Sequence, residues 1–142
     1  MGTLEEGTRN AVEVCMSVAD GEHVLVLTDQ STLEVGRAIA MAAEKVTREN
    51  VKLLMLEEYT ERPASELPEA IAEELPSANV TFLAVEGKPG ELAMRMLFVR
   101  TALKYARHAH MIDITRELME TGMCADYMRV SELTKKVEAV VK

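Results

Sequence analysis

Apolar positions change their spacing repeatedly along the chain, and each change marks an element. Leu4, Ala11, Cys15 and Val18 share one helical stripe, which predicts a helix from about Thr3 to Ala19 with a stop at Asp20-Gly21. Val24 to Thr28 is a short, continuous apolar run, the signature of a strand covered on both faces. Ser31 and Glu34 have the spacing of a capping box. Val35, Ile39, Ala42, Ala43 and Val46 follow at helical intervals toward Asn50. Val51 to Leu56 repeats the strand signature, and the charged, proline-bearing stretch from Glu57 to Pro68 reads as an exposed connection. Helical character from Glu69 to Leu75 stops at Pro76, and Asn79 to Val85 predicts a third buried strand.

Beyond Glu86 to Gly90 the spacing predicts a long, deeply buried helix with Leu92, Met96, Val99, Leu103 and Ala106 on one stripe, widened by Leu97, Phe98 and Ala102. Ala109 to Ile114 is a fourth strand with polar interruptions, and Thr115 and Glu117 open a short helix ending near Gly122. Asp126 caps a last helix with Val130, Leu133, Val137 and Val140 on one face. Strands and helices in alternation predict a three-layer, Rossmann-like α/β domain, with a mainly parallel sheet of about four strands and helices on both faces. No repeat, low-complexity run or composition break divides residues 1–142, so a single domain is expected.

The 142 residues suffice for one sizeable core, and 48% hydrophobic with 28% charged residues fits a globular domain. A formal net charge of −8 disfavours nucleic acid and anionic membranes as partners. The start of the chain lacks the features of a signal peptide, and no apolar run approaches the roughly 20 residues of a membrane span, so a cytoplasmic location is expected. Cys15 and Cys124 are too few for a disulfide framework and read as reduced thiols. Ten methionines and no tryptophan predict a core packed with flexible aliphatic side chains.

Ligands of open parallel sheets gather beyond the carboxyl ends of the strands, which directs attention to Thr28 to Ser31, Glu57 to Thr60 and Glu86 to Gly90. A dinucleotide needs glycines after the first strand, but Thr28-Asp-Gln-Ser31 has none and carries a carboxylate, so a Rossmann cofactor is disfavoured. Gly87-Lys-Pro-Gly90 precedes a helix and offers an anion site, although a tight turn relieved by glycine is the plainer reading. His108, His110 and Asp113 are three possible metal ligands, the two histidines on one side of a strand. No second cluster supports coordination, and a strand end with ordinary hydrogen bonds is favoured. Cys124 with a histidine lacks the basic setting of a nucleophile and reads as a thiol packed beside Met123 and Tyr127. Glu57-Glu58 and Glu73-Glu74 read as solvated carboxylates rather than general acids. No catalytic, cofactor-binding or metal-binding residue is therefore assigned.

Gly21-Glu-His-Val-Leu-Val-Leu-Thr-Asp29, the Gly90-Glu-Leu turn, His110-Met-Ile-Asp-Ile-Thr115 and Gly122-Met-Cys-Ala-Asp-Tyr127 together resemble the N-terminal part of the thermophilic metallo-aminopeptidase family, the aminopeptidase T or aminopeptidase S group. Ile112-Asp113 stands where the family tends to have proline and a small residue, a departure confined to the local turn. The resemblance implies a non-catalytic α/β domain that shapes substrate access or contributes to a homo-oligomer. In such proteins a separate catalytic domain removes N-terminal residues from peptides with two divalent metal ions of zinc or cobalt type. Those ligands lie downstream of the matched portion, so the resemblance implies no cofactor in this chain and a peptide substrate only where a catalytic domain is present. Lys142 falls about where that domain would begin, so a fragment or a free-standing relative is expected. The alternatives are a flavodoxin-like or Rossmann-like module holding a small anion or nucleotide at Gly87 to Gly90, and an interaction domain that docks a partner through its acidic surface and the apolar face of Tyr127 to Val140.

Overall fold

In a computed structural model describing residues 2–48 and 50–124, the chain forms an α/β domain around a four-stranded, all-parallel sheet. The strands are β1 (Val24–Thr28), β2 (Val51–Met55), β3 (Val80–Ala84) and β4 (Arg107–His110), and their order across the sheet is β2-β1-β3-β4. The helices are α1 (Leu4–Arg9), α2 (Leu33–Thr47), α3 (Glu69–Ala72), α4 (Leu92–Ala102) and α5 (Arg116–Thr121). After β1 the chain steps to one side of the sheet, and after β3 it steps to the other. With a common crossover hand, that reversal sends the connecting helices to opposite faces.

Two apolar cores result, one on each face. Val24 and Val26 of β1 and Val80 and Phe82 of β3 pack with Ala11, Val12, Ile39, Ala43 and Met119. The alternate residues Leu25, Leu27 and Leu83 pack with Leu56, Ile71, Leu75, Met94, Phe98 and Ala102. Strands β1 and β3 are buried along their whole length, Thr28 and Thr81 included, as their predominantly apolar sequences require. The run at β2 has the same character, but the strand lies at the sheet edge with Lys52 and Leu53 exposed. Methionine is divided between interior and surface: Met94 and Met119 are buried, whereas Met41 and Met96 are exposed.

Several elements differ from the spacing-based expectation for identifiable reasons. Thr3 caps α1 by accepting the Glu6 N–H at 3.1 Å, but the helix then widens into a π-helical segment, Asn10–Cys15. The wider turn changes the rotation per residue, so Ala11 and Val18 remain buried while Cys15, expected on the same stripe, is an exposed free thiol. The Ser31–Glu34 capping box does not form. Thr32 occupies the N-cap of α2, its N–H donates to Asp29 Oδ1 at 2.9 Å, and Glu34 pairs with Arg116. Gly36 lets α2 approach β1, because a Cβ there would sit 2.5 Å from Thr28 Oγ1.

Strand β4 starts two residues before the expected Ala109 and ends at His110, and Asp113 has a φ of 59°, which stops extension. Thr115 then caps α5 by accepting the Leu118 N–H at 3.1 Å. The final helix expected from Asp126, with Tyr127, Val130, Leu133, Val137 and Val140, lies outside the described residues, as does the Cys124 side chain.

Helix α4 is rotated relative to its expected stripe. Its buried residues are Met94, Phe98 and Ala102, whereas Leu92, Met96, Leu97 and Leu103 are exposed. The N-cap, Glu91, is itself fully buried. Positions three, seven and eleven residues after Glu91 share its side of the helix, and these are Met94, Phe98 and Ala102. We therefore expect Phe98→Ala to lower unfolding free energy by about 3–5 kcal/mol, and Leu92→Ala to change it by no more than about 0.5 kcal/mol. Urea denaturation of both variants checks the rotation, and the reverse order of effects would contradict it.

Candidate functional site

The carboxyl ends of β1 and β3 lie where the chain changes direction across the sheet, the place where open α/β sheets leave a ligand crevice. In this protein a side chain from the connection after β2 fills it. The Arg62 side chain is only 4% exposed, and the Asp29 and Glu91 side chains around it have no exposed surface. Arg62 Nε donates to Glu91 Oε2 at 3.0 Å and Nη2 to Glu91 Oε1 at 2.6 Å, a bidentate pair. Nη2 also donates to the Glu86 carbonyl at 3.1 Å, and Nη1 donates to Asp29 Oδ2 and to Glu57 Oε2, the latter at 3.2 Å. These contacts occupy the donor directions of a guanidinium.

The carboxylates are held equally completely. Asp29 Oδ1 accepts from the Thr32 N–H and hydroxyl, and Oδ2 accepts the Glu86 N–H at 2.8 Å beside Arg62. The Thr32 hydroxyl also contacts the Ala84 carbonyl. Glu91 Oε2 accepts the Ala64 N–H at 2.8 Å. Burial pushes the Asp29 carboxyl upward, but hydrogen bonds from Thr32, Arg62 and the Glu86 N–H outweigh it and leave its pKa below the usual Asp value. The same competition, with Arg62 and the Ala64 N–H opposing burial, lowers Glu91. The Glu91 hydrogen bonds raise the Arg62 pKa in return. No fully buried side-chain nitrogen or oxygen among the described residues lacks a partner.

All three strand-end segments singled out in the sequence converge here, but their chemistry differs from the expectation. Glu57 is an ion-pair partner of Arg62 and accepts the Gln30 N–H, so it is not simply solvated. Ser31 donates to Glu86 at 2.8 Å. The connection read as exposed contains the buried side chain of Arg62 and buried Ala64. Sequence reasoning missed both Arg62 and Glu91. A signal was nevertheless present: Arg62 is the single cation among eight glutamates between residues 53 and 87.

Gly87 to Gly90 forms the turn that was expected, with a φ of 89° at Gly90. The Gly87 N–H donates to Asp113 Oδ1 at 2.8 Å, so a carboxylate already holds that amide. Asp113 is consequently turned to Gly87, apart from the histidine pair. His108 Nδ1 is 2.8 Å from Thr81 Oγ1, and His108 Nε2 is 3.3 Å from His110 Nδ1. The histidines thus share one side of β4, as the strand period requires, but their hydrogen-bond partners are Thr81 and each other, and the His108 ring also packs against Phe98. Burial, reinforced by His110, pushes His108 down to about 4, and burial followed by the positive charge of Arg95 lowers His110.

A hollow of about 390 Å³ lies at the opposite end of the sheet, beside His23, Asn50, Lys52 and Glu74. Lys52 and Glu74 pair across 2.6 Å there. Glu73-Glu74, set aside as general acids, thus contributes one ion-pair partner. Among the described residues, no group of three or more His, Cys, Asp or Glu side chains is disposed to hold a metal, and no helix is long and apolar enough to cross a membrane. Compared with protein-family profiles and with curated proteins, the sequence gives no match.

Replacing Arg62 by Met leaves Asp29 and Glu91 buried without their counter-charge, and we expect a loss of about 3–5 kcal/mol at neutral pH. The pH response distinguishes this loss from a packing defect. In the native protein the two carboxyl pKa values are lowered, so their stabilisation is present above the unfolded values of about 4 and is lost as pH falls through the folded values. In Arg62→Met, burial raises both values, and acidification from about pH 7 to 5 should stabilise the variant. Urea titrations across that range provide the check, and a decline parallel to the native protein would contradict the assignment.

A second pH effect comes from His108. Its folded pKa is lowered to about 4 from the ordinary 6.5, so its stabilising contribution is present above 6.5 and is lost between 6.5 and 4. His108→Gln should flatten the pH dependence in the upper part of that window. An unchanged slope would contradict the burial of neutral His108.

Proposed function

We propose that this chain is a non-catalytic α/β domain of the kind that accompanies a metallo-aminopeptidase catalytic domain, shaping substrate access or holding a homo-oligomer. The observation that carries this reading is the closure of the strand-end crevice by Arg62, Asp29 and Glu91. Catalysis of peptide hydrolysis needs a polarised carbonyl and an activated water. Here Asp29, Glu91, Asp113 and His108 are committed to hydrogen bonds inside the domain, Asp29 and Glu91 with lowered pKa values that favour their ionised forms and His108 with one that favours its neutral form.

The donor set does not fit a two-metal centre. The Asp29 and Glu91 oxygens face Arg62, Thr32 and backbone N–H groups, Asp113 faces Gly87, and the two histidines face Thr81 and one another. On this reading, two-metal chemistry would be supplied by a separate catalytic domain rather than by the described residues of this chain. The resemblance carried by Gly21 to Asp29 and by His110 to Tyr127 supports the choice of this class over other α/β scaffolds.

The anion-module reading fares worse on electrostatics. An anion at Gly87 to Gly90 would displace Asp113 and face Glu86 and Glu57 across the crevice. Two measurements test the proposal. Incubated with leucine p-nitroanilide and Zn²⁺ or Co²⁺, the chain should give no metal-dependent release of nitroaniline. In thermal unfolding with ATP, NAD or inorganic phosphate, the midpoint should stay flat as ligand concentration rises. Metal-dependent turnover would overturn the non-catalytic role, and a saturable rise in the midpoint would favour the anion module.

A further inference from the structure

The rotation of α4 turns an apolar ridge outward. Leu92, Met96 and Leu103 are 62%, 42% and 60% exposed, with spacings of four, seven and eleven residues that keep them and half-buried Val99 on one side of the helix. Five of the nine exposed large hydrophobic residues recorded in the described chain fall between Leu92 and Tyr105, so the exposure is concentrated there. A ridge of this kind is the anchor pattern of helix-on-helix recognition.

Its flanks carry an unusual charge for this chain. Residues 92–112 contain Arg95, Arg100, Lys104 and Arg107 and none of the twenty-four carboxylates. Arg107 is paired with Glu22, and Lys45, Lys52, Arg62 and Arg116 each have a carboxylate partner. Arg95 donates to the Lys88 carbonyl and acts electrostatically on the buried Glu91, whereas among the described residues neither Arg100 nor Lys104 forms an ion pair. An acidic protein thus presents an apolar ridge bordered by Arg100 and Lys104, two cations without an ion-pair partner among the described residues.

We infer that the outer face of α4 docks an acidic amphipathic helix of a different protein, with its apolar side on Leu92, Met96 and Leu103 and its carboxylates toward Arg100 and Lys104. Charge decides among the possible occupants. A second α4 related by a two-fold axis would bring the same cations face to face. An anionic bilayer is attracted by clusters of about four to eight cations, whereas this face has three and belongs to a chain of net charge −8. The inference rests on this surface and is independent of the aminopeptidase-domain reading.

The test uses the full chain and a fluorescein-labelled synthetic helix of about 18 residues, with leucines at helical spacing and flanking glutamates, alongside a twin carrying lysine for glutamate. Fluorescence anisotropy should show the glutamate peptide bound at least about tenfold more tightly than its twin, and more weakly as salt rises from about 50 to 300 mM. Leu92→Ser with Leu103→Ser should weaken binding at least about tenfold, and Arg100→Glu with Lys104→Glu should reverse the preference between peptides. Circular dichroism of each variant establishes that the fold is retained.

Equal binding of both peptides, or binding indifferent to these substitutions, overturns the inference. So does capture by phosphatidylserine vesicles in preference to the glutamate peptide. A dimer in sedimentation that Leu92→Ser and Leu103→Ser dissociate would assign the face to a second copy instead. Nuclear Overhauser contacts from the Met96 methyl group to residues 125–142 would assign it to the chain's own end.

Discussion

Arg62 joins parts of the chain that the sheet alone leaves unconnected. Its guanidinium meets Asp29 beyond β1, Glu57 beyond β2, the Glu86 carbonyl beyond β3 and Glu91 at the start of α4. Withdrawing these charges from water is costly, and their mutual attraction offsets that cost only when the remaining lone pairs and protons are also satisfied. Thr32, the Glu86 N–H and the Ala64 N–H complete the set. Such a cluster favours one arrangement of the surrounding backbone over alternatives that leave any member unpaired. It thereby fixes the otherwise polar connection 57–68 against the strand ends and sets the rotation of α4.

That rotation links the interior of the domain to its surface. Because Glu91 points inward, Met94, Phe98 and Ala102 complete the core on one face of the sheet, and the remaining apolar residues of α4 are directed to solvent. The usual ligand position of an open α/β sheet is thus filled with protein groups, while exposed apolar residues concentrate on the outside of α4. The carboxylates that line the crevice are engaged by Arg62, Thr32 and backbone N–H groups.

The central strands were legible in the sequence because burial on both faces demands predominantly apolar runs, continuous from Val24 to Leu27 and broken only by Thr81 from Val80 to Ala84. The edge position of Val51–Met55 was not, since its composition is as apolar as that of a buried strand and position in a sheet depends on the other strands. Helix α4 was recognisable as a helix but not in its rotation. Apolar residues occupy both sides of it, so periodicity alone cannot choose a buried face, and the choice depends on Glu91. The strand-end segments were located from the topology rule, yet Arg62 escaped notice because an arginine beside a proline in a charged stretch ordinarily stays solvated. The histidine pair was placed correctly on one side of its strand. Only the folded loop revealed that Asp113 belongs to Gly87 rather than to them.

The most direct measurement of the account is nitrogen-detected NMR of the Arg62 side chain at neutral pH. A guanidinium locked between Asp29 and Glu91 should show resolved, slowly exchanging Nε–H and Nη–H signals, because rotation and water access are both restricted. One averaged Nη signal exchanging rapidly with water would place Arg62 in solvent and leave the crevice open, contradicting the closure on which the functional reading stands.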